Sequence, residues 1–398
     1  MRRWLAPGLI GLTQVALCAL YIWSTPLGNN GYANTPDEGA HLQYVKHIAE
    51  HWRPAVFEGY EGAGYESHQP PMYYFTSAIL YRIVGEGSVR WLGVLCGLLT
   101  ALVVWRWAST LRKEVGWFAG MFVAALPMNV AICSSVNNDA MTNLWFALAL
   151  WQLTRPSWLL GLWIGLALLT KTTGVLLVPL VVLWLLWKRL DQKVEWPKLK
   201  PAALALLLGI AIGAGWYVRN AVVYNDPLLQ KTFVQAFQGT AKPSDFYEAG
   251  MTPTGYLQLV ADWTFRSFFF AYGAPETANT GRPLFLPDAF YLLALAVMVA
   301  AVAGLFLRRR QGSPKEEMEL AMPAGVLFML ALFAFLAFIT VFFQAQGRYF
   351  FPALGAIGLF LALGLERLAP QKQRAWALHV FALVWPFMSL YAWFYALQ

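Results

Sequence analysis

Apolar runs close to the thickness of a lipid bilayer recur from one end of this sequence to the other, and little else constrains its fold as strongly. Such runs read as transmembrane helices, because a helix satisfies all its backbone polar groups within the hydrocarbon. Hydrophobic residues make up 59% of the 398, and charged residues only 13%, which leaves no room for a large soluble domain. The expectation is an all-α integral membrane protein forming one transmembrane domain over residues 1–398, with no soluble C-terminal domain. Spans are expected near 4–24, 88–111, 115–134, 140–154, 157–170, 173–188, 201–222, 288–307, 321–343, 349–368 and 375–396, about eleven within a range of ten to twelve.

The formal charge of +8 sits in short basic clusters between apolar runs, which is the positive-inside pattern and no nucleic-acid footprint. With Arg2 and Arg3 inside, eleven spans return Arg112-Lys113, Arg155, Lys188-Arg189, Arg308–Arg310 and Arg367 to the same face. Counting the segment from Pro70 to Val84 as a span would invert every later cluster, so it is expected to lie in the outer interface. Two outer regions result, 25–87 and 223–287, and the second carries a helical-period segment from Thr254 to Phe270 that bears Arg266. Cys18, Cys96 and Cys133 fall inside apolar runs without disulfide or metal spacing. The chain is expected in the plasma (inner) membrane as a multi-pass protein of the cell envelope, with its working face extracytoplasmic.

The outer regions concentrate the chemistry. Asp37, Glu38 and His41 follow the first span, and ionisable groups beside a bilayer are costly unless solvated or paired. Thr35 and Pro36 also suit a helix start, with Asp37 and Glu38 favoured by its dipole, although His41 is left unexplained by capping. The same loop holds Glu58, Glu61, Glu66, His68 and Gln69. Asn138 and Asp139 mark the second outer turn, where a helix cap is the competing reading. Lys171 tops a helical hairpin and could simply snorkel to the interface. Arg219 and Asn220 end the seventh span, and Arg348 and Tyr349 begin the tenth. Aromatic residues in the outer loops, such as Tyr60, Tyr65, Tyr73 and Trp263, suit sugar faces or an ordinary interfacial belt. Carboxylates from two loops and cations from three helix ends suit a reaction between an anionic, lipid-anchored substrate and a neutral nucleophile. A carboxylate with a histidine also suits a divalent metal ion, most directly at His41 and Glu38, with Asp37 or His68 as further donors. No Walker-type loop, nucleophile elbow or zincin motif occurs.

The ordered set resembles the GT-C glycosyltransferases, in particular the protein O-mannosyltransferase and lipid A aminoarabinose transferase branch. It consists of Asp37-Glu38, His68-Gln69-Pro70-Pro71-Met72-Tyr73-Tyr74, Asn138-Asp139, Leu168–Thr172 and Gln346-Gly347-Arg348-Tyr349-Phe350 with Pro352. The resemblance implies a GT-C fold and a sugar moved, with inversion, from a polyprenyl (or dolichyl) phosphate carrier to a lipid, glycan or protein acceptor. It places the general base on Asp37, with Glu38 beside it, a second acid on Asp139, and the carrier phosphate near Lys171 and Arg348. Arg219 is a further phosphate candidate; His41, His68, Gln69 and Tyr349 are candidates for the acceptor or a metal. A ligase or polymerase of lipid-linked glycans is a neighbouring reading within enzymes. A transporter is the alternative outside them, although transporters place ionisable groups near the midplane, and these spans carry almost none there.

Overall fold

The structure is a computed structural model that describes residues 5–28, 37–59, 61–273, 283–307 and 314–397. Arg2, Arg3, Thr35, Pro36, Tyr60 and Arg308–Arg310 lie outside the described residues.

Helix α1 (Leu5–Ser24) leads into the first outer region, which contains α2 (Glu38–His51) and α3 (Met72–Val84). Seven helices then follow through short turns: α4 (Val89–Ala108), α5 (Lys113–Ala125), α6 (Pro127–Cys133), α7 (Asp139–Leu153), α8 (Trp158–Thr170), α9 (Leu177–Leu190) and α10 (Trp196–Tyr224). The second outer region is built from α11 (Gln230–Ala236), α12 (Pro243–Glu248) and α13 (Pro253–Phe269). Beyond it come α14 (Asp288–Leu307), α15 (Pro314–Ile339), α16 (Leu354–Leu368), α17 (Arg374–Ala382) and α18 (Val384–Leu397). Among the described residues the only β pairing is an isolated bridge, Tyr272 to Leu284.

All eleven expected segments are helical. Among the described residues eight helices are long and apolar enough to cross a membrane, or nine if the bent pair α5–α6 is one span. The remaining two, α7 and α8, have only 15 and 13 residues. The 59° bend between α5 and α6 has a local cause: Leu126 is extended because Pro127 follows it, and Pro127 starts the new helix. Within the Pro70–Val84 segment, residues Met72–Val84 form the 13-residue α3, too short to span. Large apolar side chains face outward at Leu12, Leu207, Val222, Phe306 and Phe387, a surface suited to lipid.

The bundle is drawn together by small residues. On α8 and α10, Gly161, Gly165, Gly209 and Gly213 repeat at four-residue spacing, the pattern that lets two backbones approach in lipid. A Cβ on Gly165 would sit 2.5 Å from Ile212 Cβ, and one on Gly209 would sit 2.7 Å from Ile164 Cβ. This close pair brings the α8 end, with Lys171, against the rest of the bundle.

Charges gather at both ends of the helices. At one end Arg112 meets Glu366 at 2.5 Å and Glu317 at 3.8 Å, while Arg367 pairs with Glu317 and Lys188 with Glu319. The opposite end carries Asp37, Asp139, Lys171 and Arg348.

Candidate functional site

Asp37 stands at the N-cap position of α2, so the helix begins at Glu38, and its side chain caps nothing. Its backbone is left-handed, at φ 75°, a region that aspartate tolerates better than most residues but that is rarely occupied without cause. The carboxylate is turned to Arg348, whose Nη2 lies 3.0 Å from Asp37 Oδ2 across 311 positions of sequence. Tyr65 also hydrogen-bonds this carboxylate.

Arg348 is the second residue of the 3-10 turn Gly347–Ala353, and two local features aim it. Its Nε donates to Gln346 Oε1 at 2.6 Å. Gly347 lies against the backbone of Phe268 in α13, where a Cβ would collide, and its N–H donates to Ser267 Oγ at 2.8 Å. The other edge of the guanidinium reaches Asp139, with Nη1 3.6 Å from Oδ2.

Asp139 is the first residue of α7; Asn138 holds the N-cap position without a side-chain cap, and Asn137 Oδ1 accepts the Asp139 N–H at 2.7 Å. Asp139 Oδ1 accepts from Lys171 Nζ. Lys171 is held in an extended backbone between α8 and the 3-10 turn Thr172–Leu176. The neighbouring Thr170 fixes it there: Thr170 Oγ1 accepts from Trp145 Nε1 at 3.0 Å, and Thr170 O accepts from Asn138 Nδ2 at 3.3 Å. Four groups from four elements therefore make one chain of charge, Asp37–Arg348–Asp139–Lys171, at one end of the bundle. Lysine snorkelling does not describe Lys171, whose side chain is only 16% exposed and paired.

Burial pushes the Asp37 carboxyl up, but Arg348 and the Tyr65 hydrogen bond outweigh it and hold the group below the usual carboxylate range. Asp37 is thus ionised at neutral pH, with its side chain about a third exposed at 31%.

Glu38 points elsewhere. It is fully buried, and Arg90 grips it from both sides, Nε to Oε1 at 2.7 Å and Nη2 to Oε2 at 2.6 Å. The N–H groups of Val136 and Gly28 add bonds at 2.8 and 3.2 Å. Arg90 also donates to the carbonyls of Thr25 and Pro26. The pair ties the end of α1, the start of α2, α4 and the turn before Asp139 together. Removing one partner would strand a buried charge at a cost of about 3–5 kcal/mol. Arg90 escaped the sequence reading, although an arginine at the outer mouth of an apolar run was the available signal.

His41 is buried beside Tyr74 and Glu66, its Nδ1 2.8 Å from Tyr74 Oη and 3.6 Å from Glu66 Oε2. His68 packs against Phe57, Phe233 and Phe237, bonds the Tyr65 carbonyl through Nδ1, and has the Gln69 amide 3.0 Å from Nε2. Burial pushes the His68 imidazole down to about 4, so it stays neutral. Arg219 donates to the Ala55 carbonyl at 2.6 Å and lies over the Trp216 and Tyr224 rings; it forms no ion pair among the described residues. Tyr349 donates to Gln344 at 3.0 Å and packs on Phe335 and Phe338. Of the sequence candidates, the fold unites Asp37, Asp139, Lys171 and Arg348, sets His41 beside them, and turns Glu38, His68 and Arg219 to other partners. Glu38 and His41 face different groups, and among the described residues no three His, Cys, Asp or Glu side chains are placed to hold a metal ion.

The outcome is a polytopic helical membrane protein with a mixed-charge site at one end of its bundle. The family model described as dolichyl-phosphate-mannose-protein mannosyltransferase matches residues 68–216, a stretch that includes Asp139 and Lys171 but not Asp37 or Arg348. Among solved structures, ArnT from Cupriavidus metallidurans bound to undecaprenyl phosphate superposes with a TM-score of 0.58 at 16% identity, covering 95% of this chain and 63% of its own. The Archaeoglobus fulgidus oligosaccharyltransferase in complex with Zn and sulfate gives 0.55 at 18% identity, covering 98% and 53%. This chain thus spans less than two thirds of the length of either structure. No curated protein matches the sequence. The chain has the GT-C fold, as the resemblance of its motifs implied.

Proposed function

We propose that the protein transfers a sugar from a polyprenyl-phosphate carrier to an acceptor hydroxyl on the extracytoplasmic face, with inversion at the anomeric carbon. The observation that carries this reading is the alternation Asp37–Arg348–Asp139–Lys171 at the outer end of the bundle. Two cations within one partly buried site suit a phosphate, whose hold on them strengthens as water is excluded. The carrier named in the ArnT structure, undecaprenyl phosphate, is of the class proposed here.

In this mechanism Lys171 and Arg348 bind the carrier phosphate and stabilise its charge as the sugar–oxygen bond breaks and the phosphate leaves with the electron pair. The acceptor oxygen attacks from the opposite side, which inverts the anomeric centre, and Asp37 takes its proton. Arg348 holds Asp37 as a weak base while the two are paired. A phosphate that takes over the guanidinium weakens that hold, so Asp37 gains basicity as the donor settles. Asp139 keeps Lys171 and Arg348 in register. The basic end of the bundle, around Arg112, Lys188 and Arg367, faces the cytoplasm of the plasma (inner) membrane by the positive-inside rule. No step draws on a metal ion.

Asp37→Asn tests the base. Asparagine keeps the size and tolerates the left-handed backbone, and it removes only charge and basicity. The expected result is normal expression, retained binding of undecaprenyl phosphate, and turnover lower by about 10²-fold or more. Turnover within a few-fold of wild type would place the base elsewhere.

A further inference from the structure

Asn143 has no part in that mechanism, and the contacts described so far do not account for it. It lies in α7 one turn after Asp139 and is 4% exposed; among the described residues neither its Oδ1 nor its Nδ2 has a hydrogen-bond partner. The polar residues around it on the chain are each engaged. Asn137 accepts the Asp139 N–H, Asn138 donates to the Thr170 carbonyl, and Thr142 Oγ1 donates to the Asn138 carbonyl at 2.9 Å. A buried amide without a partner is costly, above all inside a membrane-spanning bundle. An asparagine kept at that cost calls for a partner that it meets in another arrangement of the site.

The same face of α7 holds the matching group. Asp139 Oδ1 accepts from Lys171, but Oδ2 accepts no hydrogen bond among the described residues, since Arg348 Nη1 stands off at 3.6 Å. Residues four apart share a helix face, and helical side chains lean toward the N-terminus, so the Asn143 amide leans back toward the turn that Asp139 opens. An unpaired donor therefore lies one turn from an unpaired carboxylate oxygen, while Asp139 is turned to the two cations.

A phosphate seated on Lys171 and Arg348 changes that balance. It competes with Asp139 for both cations, and its own negative charge repels the carboxylate. Asp139 is only 7% exposed, so water cannot take over from the cations, and a buried charge stripped of its partner is strongly unfavourable. An amide donating to a carboxylate one turn away is a stabilising contact on a helix.

We propose that Asn143 is a positioning residue that receives Asp139 when the carrier phosphate takes Lys171 and Arg348. A turn of the two side chains brings the Asn143 Nδ2–H onto Asp139 Oδ2, and no covalent bond changes. The hand-over keeps Asp139 paired in the loaded site and frees both cations for the phosphate. It rests on the reading of Lys171 and Arg348 as the phosphate site.

The test is a double-mutant cycle read by calorimetry, and it needs no acceptor. Undecaprenyl phosphate is titrated into the purified full-length protein and its variants. Asn143→Leu removes the amide at similar volume and is expected to bind the carrier about tenfold more weakly, the loss of one hydrogen bond to a charged group. In the Asp139→Asn background no charge has to be handed over, and the same substitution should change binding by about twofold at most. Asn143→Ala, which cannot overpack the site, repeats the cycle should the leucine variant fail to fold. Carrier binding at wild-type strength in a folded Asn143 variant would overturn the hand-over. So would an equal loss in both backgrounds, because Asn143 would then act through packing or on the carrier itself and not through Asp139. Absence of undecaprenyl phosphate binding in wild type would instead overturn the donor reading beneath it.

Discussion

Arg348 is the residue on which the site turns, since it alone touches both acids. A guanidinium offers two donor edges in one plane, and here one edge serves Asp37 and the other faces Asp139. Lysine would keep the charge but could satisfy only one acid at a time. Arg348→Lys is therefore expected to weaken undecaprenyl phosphate binding by about tenfold, one bidentate contact's worth, in a protein that still folds. Arg348→Ala should weaken it further and also lower thermal stability, because two acids are left facing each other in a partly buried site. Binding by both variants at wild-type strength, measured by calorimetry, would remove Arg348 from the phosphate site. Asp37 shows the same economy at backbone level: its left-handed conformation is what lets α2 start at Glu38 while the carboxylate faces away from the helix N–H groups.

At the scale of elements, the α8–α10 seam does the positioning. Its glycines lie backbone to side chain, and the seam fixes the height at which α8 ends and Lys171 emerges. Position decides the sign of a glycine substitution here. Gly209→Ala would press a methyl against Ile164, and overpacking of this kind costs about 1–3 kcal/mol. Gly215, on the same helix, meets nothing within 4 Å, so Gly215→Ala should be neutral or gain up to about 1 kcal/mol from helix propensity. Thermal unfolding in detergent should separate the two, with Gly209→Ala melting lower and Gly215→Ala at or above wild type. Equal melting of both would mean that the seam is looser than its contacts imply. The second outer region works similarly through α13, whose Ser267 and Phe268 seat Gly347 and so aim Arg348.

For the whole molecule, the charged end around Arg112, Lys188 and Arg367 and the site end are separated by the length of the bundle. The proposed sidedness rests on that separation and the positive-inside rule. Cysteines introduced at Glu61 and Glu248, in the two outer regions, are expected to react with a membrane-impermeant thiol reagent in intact cells. One at Lys193, between α9 and α10, should react only after permeabilisation. The native Cys18, Cys96 and Cys133 are buried and give little background. Labelling at Lys193 in intact cells would reverse the proposed orientation.

Helix identity was legible along the chain because bilayer-length apolar runs admit one regular structure, and α3 was separable from the long spans because its apolar run is only 13 residues. The crossings are less legible: α7 and α8 are short, and whether a 13-residue helix spans depends on what packs beside it. At the site, residue type marked Asp37, Asp139, Lys171 and Arg348 as candidates, since charge near a bilayer is rare enough to stand out. Glu38 and Asp37 are neighbours with the same chemistry, and nothing local distinguishes them. Only the packed structure, by offering Arg90 to one and Arg348 to the other, sends the first into a buried strut and the second into the open end of the bundle. The same holds for Arg219 and Lys171, both cations at outer helix ends, of which only Lys171 meets a described acid. Sequence determines which groups are expensive to leave unpaired in a membrane; tertiary structure alone chooses the partner, because each pairing joins residues far apart in the chain.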